Sequence, residues 1–296
     1  MRTPWVALCA GVLVPFASGA APPRAITVGA GPCGIAAGFG YIWVASDGAG
    51  TLSRVDPRTN RVRTVRVGTT ACWLAAGAGG IWVARYGPGV IVRVDPKTLR
   101  RSTIKVGPNP EGVAVAAGSV WVTGFDDGTL RRIDPVRRRV VETFHLGGVT
   151  AGLAVADRSL WIGFGREATS IARLDLGTHE VTRIDVGHRT PDRISSDGRS
   201  LWVSAQDTVV RVDPKTNRAV ARFDLAGTFA QGTAAHDGAI WIPNKERNTI
   251  TRFDPRTNRV AAALRAGPGA IAATAGFGTV WVTSYAGADI RRYRVR

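Results

Sequence analysis

Gly118-Ser119-Val120-Trp121-Val122-Thr123-Gly124-Phe125-Asp126-Asp127-Gly128-Thr129-Leu130-Arg131-Arg132-Ile133-Asp134-Pro135 reads as a short apolar strand, a tight acidic turn and a second strand closed by Asp-Pro. The same unit returns along the whole chain. Its tryptophan recurs as Trp43, Trp82, Trp121, Trp161, Trp202, Trp241 and Trp281, at gaps of 39, 39, 40, 41, 39 and 40 residues. Its closing motif recurs as Arg54-Val55-Asp56-Pro57, Arg93-Val94-Asp95-Pro96, Arg211-Val212-Asp213-Pro214 and Arg252-Phe253-Asp254-Pro255, while the fourth unit keeps Arg173 and Asp175 but has Leu176 for proline. A period near 40 residues marks a repeat architecture.

Around each tryptophan the unit carries four strand signals. A small-residue run ends in a glycine turn, the tryptophan strand follows, then the Arg-x-Asp-Pro strand, then a turn such as Thr59-Asn60 and an alternating stretch such as Val62 to Gly68. No stretch of helical period competes with them. Four strands per unit in seven units predict an all-β, seven-bladed β-propeller; an open solenoid of hairpins is the alternative. The last unit stops at Arg296 without its fourth strand, and Ile26-Thr27-Val28-Gly29 matches fourth-strand segments such as Ile104-Lys105-Val106-Gly107. The N-terminal strand is therefore expected to complete the last blade and remove the open edge.

Residues 1–20 read as a secretory signal, with Arg2 as the charged start, an apolar run from Val6 to Phe16, and Ala17-Ser18-Gly19-Ala20 for cleavage. That run is too short to span a bilayer, and Cys9 lacks suitably placed small residues before it for a lipid anchor. Residues 21–296 are then expected to be a single exported propeller, secreted or periplasmic, and a monomer. Cys33 and Cys72 each lie ten residues before their tryptophan, at equivalent places in adjacent blades. In an oxidising compartment they read as a disulfide, provided their Cα atoms approach within about 4.4–6.8 Å; two free thiols are the alternative.

The formal net charge is +17. Much of it recurs with the repeat: Arg54, Arg93, Arg132, Arg173, Arg211, Arg252 and Arg292 occur once per blade, placed to pack on tryptophan or pair with acids. The densest cluster is Arg137-Arg138-Arg139. A solvated basic surface is favoured over a nucleic-acid site, with weak, salt-sensitive attraction to anionic wall polymers as a further reading.

A site is expected where the repeat varies. Ten residues before the tryptophan stand Cys33, Cys72, Glu111, Ala151, Asp192 and Gln231, with Gly269 in the last blade after a two-residue insertion; Trp73 and Arg193 follow Cys72 and Asp192. After the tryptophan strands come Asp47, Arg85, Tyr86, Phe125, Asp126, Arg166, Lys245 and Tyr285, among others. From these, Glu111, Asp192, Arg193, Gln231, Trp73, Arg85, Tyr86, Lys245 and Tyr285 form a mixed rim suited to a small polar ligand held over aromatic walls. Solvated loops are the bland reading.

Catalytic patterns are sparse. His188, four residues before Asp192, offers the one candidate for an oriented base. The chain has no Gly-x-Ser-x-Gly, His-Glu-x-x-His or Cys-x-x-Cys motif. No metal or cofactor is expected, and the balance leans away from an enzyme.

The repeat, as in Gly40-Tyr41-Ile42-Trp43-Val44 and Arg54-Val55-Asp56-Pro57-Arg58-Thr59-Asn60, resembles the YVTN-type propeller repeats of exported bacterial proteins over residues 24–296. It is unlike WD40, because no Gly-His or Trp-Asp pair recurs. The pattern is also similar to the virginiamycin B lyase type of propeller. That resemblance implies a histidine at the start of an inner strand, a glutamate shortly after a tryptophan, and magnesium. The matching starts hold no histidine, and Ser46, Arg85, Gly124, Phe164, Ala205, Asn244 and Ser284 stand three residues after the tryptophans. The leading expectation is an exported, non-catalytic propeller that binds a ligand or partner at the channel mouth. The competing readings are a metal-assisted lyase or hydrolase and a polyanion-associated module.

Overall fold

The computed structural model describes residues 22–225 and 232–294. The signal expected at 1–20 and Gln231 lie outside the described residues. Within them the chain forms seven four-stranded antiparallel sheets and no helix. Blade one runs Pro32–Gly38, Tyr41–Ser46, Thr51–Val55 and Val62–Arg66. The others repeat that order, and blade seven is Ala270–Gly276, Thr279–Ser284 and Asp289–Tyr293 completed by Ile26–Thr27. Ile26 faces Ile290 and Thr27 faces Asp289 across that closing ladder, as the sequence predicted. Inner strands contact their neighbours in cyclic order, blade seven against blade one.

The tryptophan period has a local cause. In six blades the indole Nε1 donates to the carbonyl five residues earlier, from Trp43 to Gly38 at 3.0 Å through Trp281 to Gly276 at 3.2 Å. Trp202 instead donates to Asp197 Oδ2 at 3.1 Å. Each bond pins the turn between inner and second strands, while the ring is buried between blades. One core cluster, for example, joins Trp43 and Leu52 of blade one to Ile81 and Val83 of blade two. Burial of each large side chain stabilises by about 1.5–3 kcal/mol before entropy is counted.

The Asp-Pro turn is a second repeating device. Asp56 Oδ1 accepts the backbone N–H groups of Arg58 and Thr59, and Asp95 and Asp134 do the same two and three residues on. Asp175 does so without a following proline. These backbone hydrogen bonds hold the turn carboxyls below their ordinary range.

The periodic arginines stack as expected in five blades, with Arg93, Arg132, Arg173, Arg211 and Arg292 5.4–6.0 Å from their tryptophan rings. Arg54 lies over Tyr41 instead, at 4.5 Å. Beyond stacking, four of them bind the next blade's turn, Arg173 by donating to Asn217 Oδ1 at 3.3 Å. Arg54 donates to the Pro96 carbonyl at 2.8 Å, Arg211 to Pro255 at 2.7 Å, and Arg292 to Pro57 at 2.7 Å. The last of these spans the ring closure.

Candidate functional site

The mouth of the channel is built by a repeated irregularity. In blade one the register between inner and second strands shifts between Pro32 and Gly34, in blade two between Ala71 and Leu74, and in blade three between Pro110 and Val113. A bulge of this kind re-aims its side chain, and Cys33, Cys72 and Glu111 are the residues it carries. The next position is glycine where neighbouring backbones crowd together. A Cβ at Gly34 would stand 1.8 Å from the Cys72 carbonyl oxygen, and one at Gly112 2.3 Å from that of Ala151. At this same register blades two and five hold Trp73 and Arg193 instead.

These two departures meet. The Arg193 guanidinium lies 5.3 Å from the Trp73 ring centroid, its Nη1 donates to Glu111 Oε1, and its Nε lies 3.9 Å from Asp192 Oδ2. Blades two, three and five thus join at the channel mouth. Glu111 is 2% exposed. Burial pushes both Glu111 and Asp192 above the usual carboxylate range, although Arg193 opposes the shift in each. Burial would lower the Arg193 guanidinium, but Glu111 and Asp192 outweigh it and hold the cation charged.

Beside this bridge lies a cavity of 320 Å³ lined by Cys33, Asp47, Thr70, Cys72, Trp73, Tyr86, Lys245, Ile271 and Tyr285. Its floor includes the Cys33–Cys72 disulfide, whose Cα atoms are 5.3 Å apart as the equivalent strand positions implied. The Tyr285 hydroxyl donates to Asp47 Oδ2 at 3.3 Å, and Lys245 Nζ sits 5.5 Å from the Tyr285 ring centroid. Asp47 Oδ1 and Trp73 Nε1 are buried without hydrogen-bond partners. Burial, reinforced by Asp47, raises the Tyr285 phenol, which stays a neutral donor. Tyr86 packs edge-on against Phe125 at 5.9 Å and is likewise raised, first by burial and then by Asp126.

The structure divides the rim residues named from sequence. Glu111, Asp192, Arg193 and Trp73 form the bridge, and Trp73, Tyr86, Lys245 and Tyr285 face the cavity. Arg85 does not line it. Its Nε donates to the Thr69 carbonyl at 3.2 Å, so the side chain is spent on the turn before the inner strand of blade two. The candidate pair of His188 and Asp192 shows no hydrogen bond: His188 Nδ1 is buried without a partner, and the Asp192 carboxylate lies on the side of Arg193. Among the described residues no three His, Cys, Asp or Glu side chains converge. The donor set implied by the lyase resemblance therefore does not fit this mouth. Asp47, Thr70 and Ile271 complete the cavity; Asp47 stood out only as a loop residue, because its partner Tyr285 is 238 positions away.

No protein-family model matches the chain, and no curated protein matches it. Among solved structures it is similar to the hydrazine synthase of Kuenenia stuttgartiensis, at 15% identity over 91% of this chain and 97% of that one, with a TM-score of 0.78. It is also similar to U3-55K, at 10% identity over 93% of this chain and 98% of that one, with a TM-score of 0.80. These likenesses, close in shape and remote in sequence, establish the seven-bladed β-propeller and nothing finer.

Proposed function

We propose that this chain is an exported, non-catalytic propeller whose channel mouth binds a small polar ligand. The observation that carries this reading is the 320 Å³ cavity, whose aromatic walls stand beside the exposed Lys245, a cation in no ion pair among the described residues. Such a cavity, mostly apolar with a few convergent polar groups, is the usual form of a small-molecule site. Two further observations support export. A disulfide persists in oxidising compartments, and residues 1–20 carry the signal pattern. No helix among the described residues is long and apolar enough to cross a membrane. The repeat's likeness to YVTN-type propellers agrees with the same compartment.

A second reading rests on a different surface. The outer edge of blades one to three exposes Arg61, Arg63, Arg66, Arg100, Arg101, Lys105, Arg138 and Arg139, none in an ion pair among the described residues. That edge suits weak contact with an anionic polymer.

Thermal shifts of residues 21–296 against small polar metabolites and soluble polyanions separate the two. Stabilisation by a small molecule, abolished in Lys245→Ala and tolerant of salt, supports the mouth site. Stabilisation by polyanions alone, unchanged in Lys245→Ala and lost in salt, replaces it with the outer edge.

A further inference from the structure

We propose that the end of the propeller opposite the mouth docks on an anionic lipid surface, with Phe39 and Phe277 entering the headgroup layer and cations of blades one to three meeting its phosphates. This goes beyond the mouth site and does not depend on it.

Each inner strand runs away from the mouth and turns into the tryptophan strand at the far end, where the Asp-Pro turns also lie. In blades two, three and six a residue of positive φ precedes a glycine of positive φ there: Ala78-Gly79, Ala117-Gly118 and Asp237-Gly238. Such a turn favours asparagine, aspartate or glycine at its first central position. Blades one and seven have Phe39 at φ 52° and Phe277 at φ 56° instead. A bulky side chain in the left-handed region strains the backbone. Packing does not compensate. Phe39 is 45% and Phe277 51% exposed, neither belongs to a core cluster, and neither ring packs on another among the described residues. The two stand on neighbouring turns, because Gly276 lies against Ala37 of blade one, where an added Cβ would be 2.7 Å from the alanine Cβ. A local choice that the fold does not need, made twice side by side, points to function.

The surroundings of this apolar pair decide what covers it. Farther from the axis at the same end, the turns of blades one to three expose Arg58, Arg61, Lys97, Arg100, Arg137 and Arg138. Of these only Arg137 has a carboxylate partner among the described residues, Asp134 at 3.4 Å. Asp56 and Asp95 are nearby, but each turns Oδ1 to backbone N–H groups of its own turn. The exposed Val136 adds a third apolar side chain to the rim. In blades four and six the inner turns hold Asp157 and Asp237, so the cations gather on the side that carries Phe39. Apolar rings beside unpaired cations match a surface with hydrocarbon behind a layer of negative headgroups. A soluble polyanion supplies the charge but offers the rings nowhere to be buried. Docked this way, the protein holds its mouth away from the lipid and open.

The test is co-sedimentation of residues 21–296 with vesicles of phosphatidylglycerol and phosphatidylcholine in equal parts, beside vesicles of phosphatidylcholine alone. The mixed vesicles are expected to bind the protein at least about tenfold more tightly, since each cation near an anionic surface contributes about fivefold. Arg58→Gln with Lys97→Gln should therefore weaken binding by about twentyfold. Phe39→Asn with Phe277→Asn places a residue suited to the left-handed region in both turns. That variant should melt no lower than the wild type, yet bind the mixed vesicles at least about tenfold more weakly. Its melting temperature separates a lost docking surface from a lost fold. Absence of vesicle binding overturns the proposal, as does equal binding to both vesicle types. Binding unchanged in the phenylalanine variant leaves charge alone as the cause and also overturns it. So does a dimer in sedimentation velocity that the phenylalanine variant abolishes, because a second copy would then cover this end.

Discussion

The two ends of this propeller carry the same chemical group with its acidity shifted in opposite directions. At the end formed by the turns between third and fourth strands, Asp56, Asp95, Asp134, Asp175 and Asp254 are held below the ordinary carboxylate range by backbone N–H groups of their own turns. At the channel mouth Glu111 and Asp192 are pushed above it by burial, against the pull of Arg193. The first set recurs blade by blade and completes a turn. The second occurs once, and its partners come from different blades. What repeats here is scaffold; what departs from the repeat is where the chain can hold something else.

The largest effect should come from breaking the mouth bridge on one side. Glu111→Ala leaves Arg193 buried without its closest partner and should cost about 4 kcal/mol in denaturant unfolding, whereas Glu111→Leu with Arg193→Leu should recover most of that loss. Asp95→Ala, at the other end, should cost clearly less, because its exposed turn can turn to water. If the two single substitutions proved equal, the contrast between the ends would be wrong. Removing the disulfide in a Cys33→Ala, Cys72→Ala double variant should cost about 3 kcal/mol, read from the same unfolding curves. Next in size is the ring-closing contact. Arg292→Ala loses the bond to Pro57 and the stack on Trp281 and should cost about 2 kcal/mol. Arg93→Ala should cost less, since Arg93 reaches only Gly79 of its own blade.

The pH dependence sharpens the comparison with the smallest signal. The turn carboxyls titrate lower in the folded state than in the unfolded chain, so their stabilisation is present above about pH 4 and is lost as pH falls through their depressed values. Glu111 and Asp192 titrate higher when folded. Their contribution is complete below about pH 4 and is lost as pH rises through their raised values. Melting temperatures of the wild type and a Glu111→Gln, Asp192→Asn variant across mildly acidic pH should therefore differ in slope. The variant keeps the acid loss and sheds the decline on the neutral side.

The scaffold was readable because each repeating residue answers to a neighbour close in sequence. The tryptophans bond a group five residues back, and the turn aspartates bond groups two and three residues on. Ring closure was readable because Ile26 to Gly29 looks like any fourth strand. The inter-blade arginine contacts were not readable, since stacking on tryptophan accounts for an arginine without showing that its far nitrogen reaches the next turn. The mouth was half readable. Trp73 and Arg193 stand where most blades have glycine, which flags them, yet nothing local says that they meet each other and Glu111. Asp47 and Tyr285 become neighbours only through closure of the ring. His188 shows the converse: four residues from Asp192 in sequence, it makes no hydrogen bond to it, and its Nδ1 is buried without a partner.

The most direct test of the account is to measure unfolding and ligand binding together in a Trp73→Phe, Lys245→Gln variant. Both residues line the cavity, and neither belongs to the repeating motif. The account predicts a ligand-free melting temperature within about 2 °C of the wild type, as for substitutions away from tightly packed cores, with the ligand-induced shift abolished. A variant that loses its fold, or one that keeps the full shift, would contradict it.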